Sequence, residues 1–205
     1  VMNERLSFAI ECAGQGLKVF PLQENKKKPL DGSRGFKDAT DDITQIQTWW
    51  GNHPEYNIGI RTGEVSNLTV IDVDGEGGME SIQTIRHLLP ENTGVIKTPH
   101  GYHLYFDYSS EFTTGVGFLD GLDVRNNGGY VVAPASVVEC DKQDCDGEHG
   151  NEYTVYRDVP RQRINVVPGV FKGGARTQVA GTDTRENFPQ LLKGVELGVR
   201  DQTLT

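Results

Sequence analysis

The chain has 205 residues and a formal net charge of −9, and 36% of its residues are hydrophobic and 24% charged. This length can bury a core, so we expect one main domain with room for a small appendage. No apolar run reaches the ~20 residues of a membrane span, and the first residues show no basic-then-apolar signal. The 3 cysteines are too few, and odd in number, for a disulfide framework. We therefore expect a cytoplasmic protein without a membrane partner.

The charges are distributed unevenly along the sequence. The acidic balance argues mildly against a nucleic-acid binder, which usually shows a basic surface. Basic residues nevertheless cluster near the start, at Lys18, Lys26, Lys27, Lys28, Arg34 and Lys37. Acidic residues cluster much later, at Asp141, Asp144, Asp146, Glu148 and Glu152. A basic face and an acidic insertion on one domain would explain this pattern, and so would two solvated loops.

In chain order, the hydrophobic spacing predicts short helices and short strands. Apolar residues recur at helical intervals over residues 4–17, after Asp41 or Asp42, and from Gly75 until Pro90 stops the pattern. Strands are predicted at residues 18–22, 57–61, 68–75, 94–98, 102–106, 121–125, 130–134 and 153–156. A loop is expected at 23–37 and a linker at 158–190, and no element is predicted in the glycine-rich segment 112–121. This order predicts an α+β fold with a mixed, largely antiparallel sheet and helices on one face.

The predicted strand at 68–75 carries two carboxylates in an apolar run. Because strand side chains alternate between faces, Asp72 and Asp74 share one face and their apolar neighbours share the other. A charged pair beside Val, Ile and Leu is costly unless something neutralises it. A bound hard cation such as Mg²⁺ would do so through the carboxylate oxygens. The other interpretation is that the strand ends at Val73 and that Asp74 and Gly75 form a turn.

Three more side chains have the chemistry to join these carboxylates. Asp123 is a single acid in a short apolar strand, and three carboxylates on neighbouring strands can bind a pair of divalent ions for phosphoryl displacement. Arg125 shares the predicted face of Asp123, where it would bind a triphosphate or pair with an acid. His103 alternates with apolar residues. It would donate to a phosphate, or be a partly exposed histidine bonded to a backbone carbonyl.

Four stretches of the chain form a pattern that is specific when they occur in this order. They are GFKDATDD at 35–42 followed by Trp49 and Trp50, VIDVD at 70–74, TPHGYHLYF at 98–106, and GLDVRNNGGYVVAPAS at 121–136. With them the chain resembles the catalytic domain of bifunctional primase-polymerases (prim-pol), in the archaeo-eukaryotic primase superfamily. The first stretch looks like the N-terminal signature of that family, and the others look like its three catalytic motifs. The resemblance covers residues 10–157.

The resemblance implies template-directed nucleotidyl transfer on an RNA-recognition-like core with an extra N-terminal α/β unit. In the pattern of this family, Asp72, Asp74 and Asp123 would hold two divalent ions, Mg²⁺ or Mn²⁺. His103 would contact the phosphates of the incoming nucleotide. The implied partners are a single-stranded DNA template, a primer, and dNTP or NTP.

Further nucleotide contacts are expected from residues around these motifs. Arg125 and Arg61 are predicted to bind the nucleotide as basic contacts. Tyr130 would pack against the sugar of the incoming nucleotide, or serve as a core aromatic residue of its strand. The second motif of the family usually has a small hydroxyl residue two positions before the histidine, where this chain has Gly101. Thr98, or the main chain around Gly101, is expected to take that place.

A second departure from the family pattern lies between Ser136 and Tyr153, where a short loop is usual. Cys140, Cys145 and His149 have the spacing C-x₄-C-x₃-H, which resembles part of a zinc knuckle. A fourth zinc ligand is not evident in the sequence, although an aspartate or the distant Cys12 would serve. The alternative is an acidic surface hairpin with two unpaired or disulfide-linked cysteines.

The resemblance also suggests how the chain is divided. We expect a catalytic domain over residues 1–160, a linker over 161–190, and the start of a helical primase-associated domain over 191–205. The natural protein would then continue into a helical or helicase region. Such proteins replicate plasmids or phages, which would place this one in a bacterial or phage-infected cell.

Two other functions use parts of the same pattern. A non-catalytic RNA-recognition-like module would bind nucleic acid through aromatic residues on its sheet face, and it would not need three acids. A metal-dependent nuclease or nucleotidyl cyclase would use the carboxylates but not the second and third motifs. The sequence therefore favours a nucleotidyltransferase of DNA replication, a DNA primase and DNA-directed DNA polymerase.

Overall fold

The computed structural model describes residues 3–139 and 151–164, which form helices, short 3₁₀ turns and strands. The helices are α1 (Glu4–Gly14), α2 (Ile43–Asn52) and α3 (Gly75–Ile85), and the 3₁₀ turns are Gly35–Asp38, Glu64–Ser66 and Arg86–Leu88. The strands are β1 (Val19–Leu22), β2 (Asn57–Arg61), β3 (Thr69–Asp74), β4 (Gly94–Thr98), β5 (Gly101–Asp107), β6 (Gly115–Leu119), β7 (Leu122–Arg125), β8 (Tyr130–Val132), β9 (Thr154–Arg157) and β10 (Gln162–Arg163).

The strands of the described residues form a smaller and a larger sheet. The smaller sheet has the order β1-β2-β8, and the larger has the order β6-β7-β3-β5-β4-β9 with β10 beside β5. The strands within each sheet pair antiparallel, except that β10 runs parallel to β5. The acidic strand β3 lies between β5 and β7. The predicted α+β class with largely antiparallel pairing is therefore confirmed.

Each face of the larger sheet packs against a different layer. Ile71 and Val73 of β3 belong to one hydrophobic core, which they share with Ile82 and Ile85 of α3. Val70 of β3 belongs to a second core, formed with the smaller sheet, α1 and α2. Strand alternation therefore directs the acidic face of β3 away from α3 and toward the N-terminal unit, which comprises α1, β1, α2 and β2.

Local hydrogen bonds explain where the first two helices begin and end. Asp42 caps α2 as predicted, because its side chain accepts a hydrogen bond of 2.9 Å from the Thr44 N–H. α1 ends at Gly14 rather than at residue 17, because Gly16 adopts a left-handed φ of 75°. The Leu17 N–H then donates back to the Cys12 carbonyl at 3.0 Å, which closes the last turn.

Two strands of the structure were not visible in the sequence pattern. β6 lies in the glycine-rich segment, and its residues are largely exposed, so no hydrophobic alternation marks it. It forms by pairing with β7. β10 pairs with the end of β5, and the following Ile164 is buried, so the folded structure extends past residue 160.

Within the described part of the chain, no helix combines the length and the apolar character needed to cross a membrane. The predicted linker beyond Ile164 and the predicted helical segment at 191–205 lie outside the described residues.

Candidate active site

Pairing of three neighbouring strands brings the predicted acids and histidine into one row. In the antiparallel register, Asp72 on β3 lies opposite His103 on β5 and opposite Asp123 on β7. Directly opposed residues of an antiparallel pair project from the same face of the sheet. Asp74, two residues after Asp72, projects from that face as well. The β5-β3-β7 register therefore places Asp72, His103 and Asp123 side by side, which strand alternation alone could not establish.

This row faces a cavity of about 450 Å³ between the larger sheet and the N-terminal unit. The cavity is lined by Lys27, Phe36, Asp72, Asp74, Thr98, Pro99, His100, His103, Thr114, Asp123, Arg125, Gly128, Gly129, Tyr130, Val131, Val132 and Tyr153. Ligand pockets usually measure about 300–1,000 Å³, so the cavity is large enough for a nucleotide. Both acidic and basic residues line the cavity. This lining suits a polyanionic ligand that is bound together with cations.

Arg125 bridges the two opposed carboxylates. Its Nη2 atom lies 2.8 Å from Asp123 Oδ2 and 3.8 Å from Asp72 Oδ2. The other oxygen of Asp123 accepts a hydrogen bond of 2.8 Å from the Gly117 N–H. All three charged side chains are partly buried, so their attraction is screened less than at an open surface. The structure thus shows the ion pair that the sequence left open for Arg125, and its contact with a nucleotide stays a prediction.

His103 lies on the predicted face but is buried, with 5% of its surface exposed. Its Nε2 atom is 3.4 Å from Asp72 Oδ1, whereas its Nδ1 atom is buried without a hydrogen-bond partner. Burial lowers the pKa of His103, and the nearby Asp72 carboxylate opposes that shift. Arg125 and Lys27 lower the pKa further. The imidazole is therefore neutral near pH 7 and has one N–H to donate.

The turn between β4 and β5 explains why glycine replaces the expected hydroxyl residue. A Cβ atom at Gly101 would overlap the carbonyl oxygen of Val73 on the adjacent β3, so no side chain fits there. Thr98, at the end of β4, is buried and lines the cavity, and its hydroxyl accepts a long hydrogen bond of 3.4 Å from the His100 N–H. Thr98 is therefore the hydroxyl that this hairpin presents to the site.

Tyr130 forms part of the cavity wall opposite the sheet. Its ring packs edge-on against Phe20 at 5.3 Å and stacks near Phe36 at 6.4 Å between centroids. Its hydroxyl donates to the Lys27 carbonyl at 3.0 Å. Both interpretations of Tyr130 are therefore compatible with its position, because one ring surface packs in the core while the residue also lines the cavity.

Arg61 differs from the other predicted nucleotide contacts in its position relative to the cavity. It is not among the residues that line the cavity. Its guanidinium lies over the Phe36 ring, 5.6 Å from the centroid, and its Nε atom is buried without a partner. Arg61 is next to two cavity-lining residues, Phe36 and its strand partner Tyr130, and its predicted contact with the nucleotide stays a prediction.

Several cavity residues were not singled out from the sequence. Lys27 belongs to the basic cluster, but sequence alone could not show that it lies across from Asp72. His100 lies in a turn, and Thr114 and Tyr153 lie directly before the edge strands β6 and β9, where no periodic pattern marks a functional face. Gly117 acts through its backbone N–H, which no residue type reveals.

A comparison with protein families shows which family the chain belongs to. The sequence model described as "Bifunctional DNA primase/polymerase, N-terminal" (Prim-Pol) matches residues 9–169, which include every strand of the site. The chain belongs to the Prim-Pol family. No curated protein matches the chain closely enough to count as a relative.

Membership of Prim-Pol implies DNA primase or polymerase activity, and so nucleic-acid and nucleotide substrates. Prim-Pol enzymes generally use divalent metals, and three carboxylates on one sheet face are suitable oxygen donors for Mg²⁺ or Mn²⁺. Among residues 3–139 and 151–164, however, no three His, Cys, Asp or Glu side chains converge as a ligand group. Arg125 instead supplies positive charge between Asp72 and Asp123. The carboxylate oxygens therefore suit Mg²⁺ or Mn²⁺ chemically. In the described structure the Arg125 guanidinium neutralises Asp72 and Asp123.

The predicted zinc ligands Cys140, Cys145 and His149 lie outside the described residues, so that assignment stays a prediction. Cys12, named as a distant fourth ligand, lies on the buried face of α1 in the core. Burial raises the pKa of its thiol well above the usual range, which keeps it protonated and disfavours metal ligation.

Proposed function

We propose that this Prim-Pol domain extends a primer on a single-stranded DNA template, transferring nucleotides from dNTPs or NTPs by two-metal-ion catalysis. The observation that carries the proposal is the opposed pair of Asp72 and Asp123, next to His103, on the floor of a cavity of nucleotide size. Acids in such a partly buried position are costly unless a cation accompanies them. Arg125 accompanies both acids in the described structure, and a divalent cation would neutralise the same oxygens.

The residues that would hold the ions are Asp72, Asp74 and Asp123. Two bound Mg²⁺ or Mn²⁺ ions would activate the 3′-hydroxyl of the primer and stabilise the departing pyrophosphate. The primer oxygen forms a bond to the α-phosphorus of the nucleotide as the bond to pyrophosphate breaks. Asp72 and Asp74 orient one side of the site because both project from β3, and Asp123 closes it from β7.

The cavity also offers groups for the nucleotide itself. His103 would donate its single N–H to a phosphate oxygen. Arg125 would exchange its contact with Asp123 for the triphosphate, since a guanidinium fork suits phosphate oxygens. Tyr130 would pack against the sugar, and the Thr98 hydroxyl would serve as a further hydrogen-bond group near the phosphates.

The biological setting follows from the family resemblance. We infer a role in plasmid or phage replication, in which a downstream helical or helicase region accompanies the catalytic domain. That region would assist de novo priming by holding the initiating nucleotide.

The alternative is an RNA-recognition-like module that binds nucleic acid without chemistry. Such a module needs exposed aromatic residues on its sheet face. The face of β5-β3-β7 instead presents Asp72, His103 and Asp123. The described structure therefore favours the enzyme.

Primer extension tests the proposal. Wild-type protein should extend a labelled primer with dNTPs and Mg²⁺ or Mn²⁺, and EDTA should stop the reaction. Asp72→Asn and Asp123→Asn should reduce the rate by about a thousandfold or more, because metal stabilisation of the transition state contributes several kcal/mol. Asp120→Asn is the matched control, because Asp120 is exposed in the β6-β7 turn and does not line the cavity.

A folded wild-type protein that binds DNA but incorporates nothing with either metal would support the non-catalytic module. Equal loss of activity in Asp120→Asn would also count against the assignment, because it would indicate a general charge effect.

A further inference from the structure

A loop of consecutive lysines forms one rim of the cavity, and its backbone is fixed by the rest of the fold. We call residues 25–28 the lysine loop; it comprises Asn25, Lys26, Lys27 and Lys28. Each of its carbonyl groups accepts a hydrogen bond, from the Glu139 N–H, the Asn57 side chain, the Tyr130 hydroxyl and the Gln23 N–H, respectively. The backbone is thus bonded inward, and all three lysine side chains are exposed.

The lysine loop connects two cavities. Lys27 and Tyr130 line the cavity of the acids. The same two residues also line a second cavity of about 500 Å³, together with the remaining loop residues, Val138 and Glu139. Both cavities share Lys27 and Tyr130, so they lie next to each other at these two residues, and the first of them reaches Asp72 and Asp123.

The charge of the loop is available to a ligand. Within the described residues, Lys26 and Lys27 form no ion pair, and Lys28 pairs with Asp31 at 3.4 Å where both side chains are highly exposed. Exposed pairs of this kind contribute little and are readily exchanged. Among the described residues that line the second cavity, Glu139 is the one acid. On a chain with a net charge of −9, this is a local basic surface.

We propose that the lysine loop binds the phosphate backbone of a single-stranded polynucleotide, which runs through the second cavity and past Lys27 into the active cavity. This proposal rests on the proposed function, because that function identifies the bound strand as template or primer. Nonspecific strand binding combines a positively charged groove with an aromatic wall, and here Tyr130 supplies the aromatic group.

A polymer fits the loop better than a free triphosphate does. A reacting triphosphate must lie beside the carboxylates, and none of Asp72, Asp74 and Asp123 lines the second cavity. Lys26 and Lys28 line the second cavity and not the first. A ligand that contacts Lys26 and Lys28 and also reaches the carboxylates therefore has to extend through both cavities.

Binding of a fluorescent single-stranded oligonucleotide, measured by anisotropy over a salt series without dNTPs, tests the proposal. The double variant Lys26→Ala/Lys28→Ala should weaken binding about tenfold and reduce the slope of log K against log salt by about 1.4, since each phosphate contact on a single strand contributes about 0.7. Lys97→Ala is the matched control, because Lys97 is exposed and lies on the opposite face of the larger sheet from His103. It should leave affinity and slope unchanged.

The outcomes separate this proposal from the proposed function, because the assay needs no catalysis. Unchanged affinity and slope in the double variant would overturn the role of the loop even if the wild type extends primers. Normal oligonucleotide binding with a raised KM for dNTP would overturn it too, because the lysines would then serve the triphosphate. The lysine side chains are exposed, so both variants should melt at the wild-type temperature, which checks that folding is intact.

Discussion

At the scale of single residues, Arg125 explains how two neighbouring acids, Asp72 and Asp123, coexist in the described structure. Two carboxylates on adjacent strands repel each other unless a positive charge lies between them. Arg125 Nη2 provides that charge, 2.8 Å from Asp123 and 3.8 Å from Asp72. A divalent cation would neutralise the same oxygens, so under the proposed function the guanidinium and the ions would compete for one position. Arg125 would then move to the triphosphate when the ions bind.

Substitution of Arg125 tests this competition. Arg125→Ala should destabilise the metal-free protein by about 1–2 kcal/mol, because two partly buried acids lose their partner. Mn²⁺ should then raise the melting temperature of the variant more than that of the wild type, as measured by thermal unfolding in EDTA and in Mn²⁺.

Arg34→Ala is the control for Arg125, because Arg34 pairs with Asp38 at an exposed helical turn far from the acids in sequence. It should melt as the wild type does under both conditions. Equal Mn²⁺ shifts in wild type and Arg125→Ala would show that Arg125 does not occupy the cation position.

At the scale of elements, the site depends on how closely β3 and β5 approach. The sequence predicted both strands and the shared face of Asp72 and Asp74, because alternation is a local property. It could not give the register, which pairs residues from distant parts of the chain. β6 was missed because its exposed glycine-rich residues carry no alternation, although its Gly117 holds Asp123 in place.

Gly101 is the most sensitive position in this strand pair. Gly101→Ala should cost about 3 kcal/mol or more in the free energy of unfolding, because its Cβ would overlap the Val73 carbonyl and strain a packed backbone. Gly115→Ala in β6 is the matched control, since nothing lies within 4 Å of a Cβ placed there. Urea denaturation should show a near-native midpoint for the control. A native midpoint for Gly101→Ala would contradict the close approach of β3 and β5.

At the scale of the whole molecule, the active cavity lies between two layers that come from different parts of the sequence. The larger sheet supplies the acids, and the N-terminal unit supplies Lys27 and Phe36. The sequence signature around Phe36 suggested membership of the family but could not show that Phe36 lines the same cavity as Asp72 and Asp123. In the sequence, Lys27 was only one charge in a basic cluster. Its place in the same cavity as Asp72 results from packing between the two sheets.

The central claim is that Asp72 and Asp123 hold divalent ions, and manganese binding tests it most directly. Electron paramagnetic resonance of free Mn²⁺, titrated with protein in the presence and absence of dNTP, counts the bound ions without requiring turnover. We expect the wild type and Asp120→Asn to bind Mn²⁺ alike, with two ions in the presence of dNTP. Asp72→Asn and Asp123→Asn should lose most of this binding. Wild-type manganese affinity and stoichiometry in both of these variants would contradict the claim.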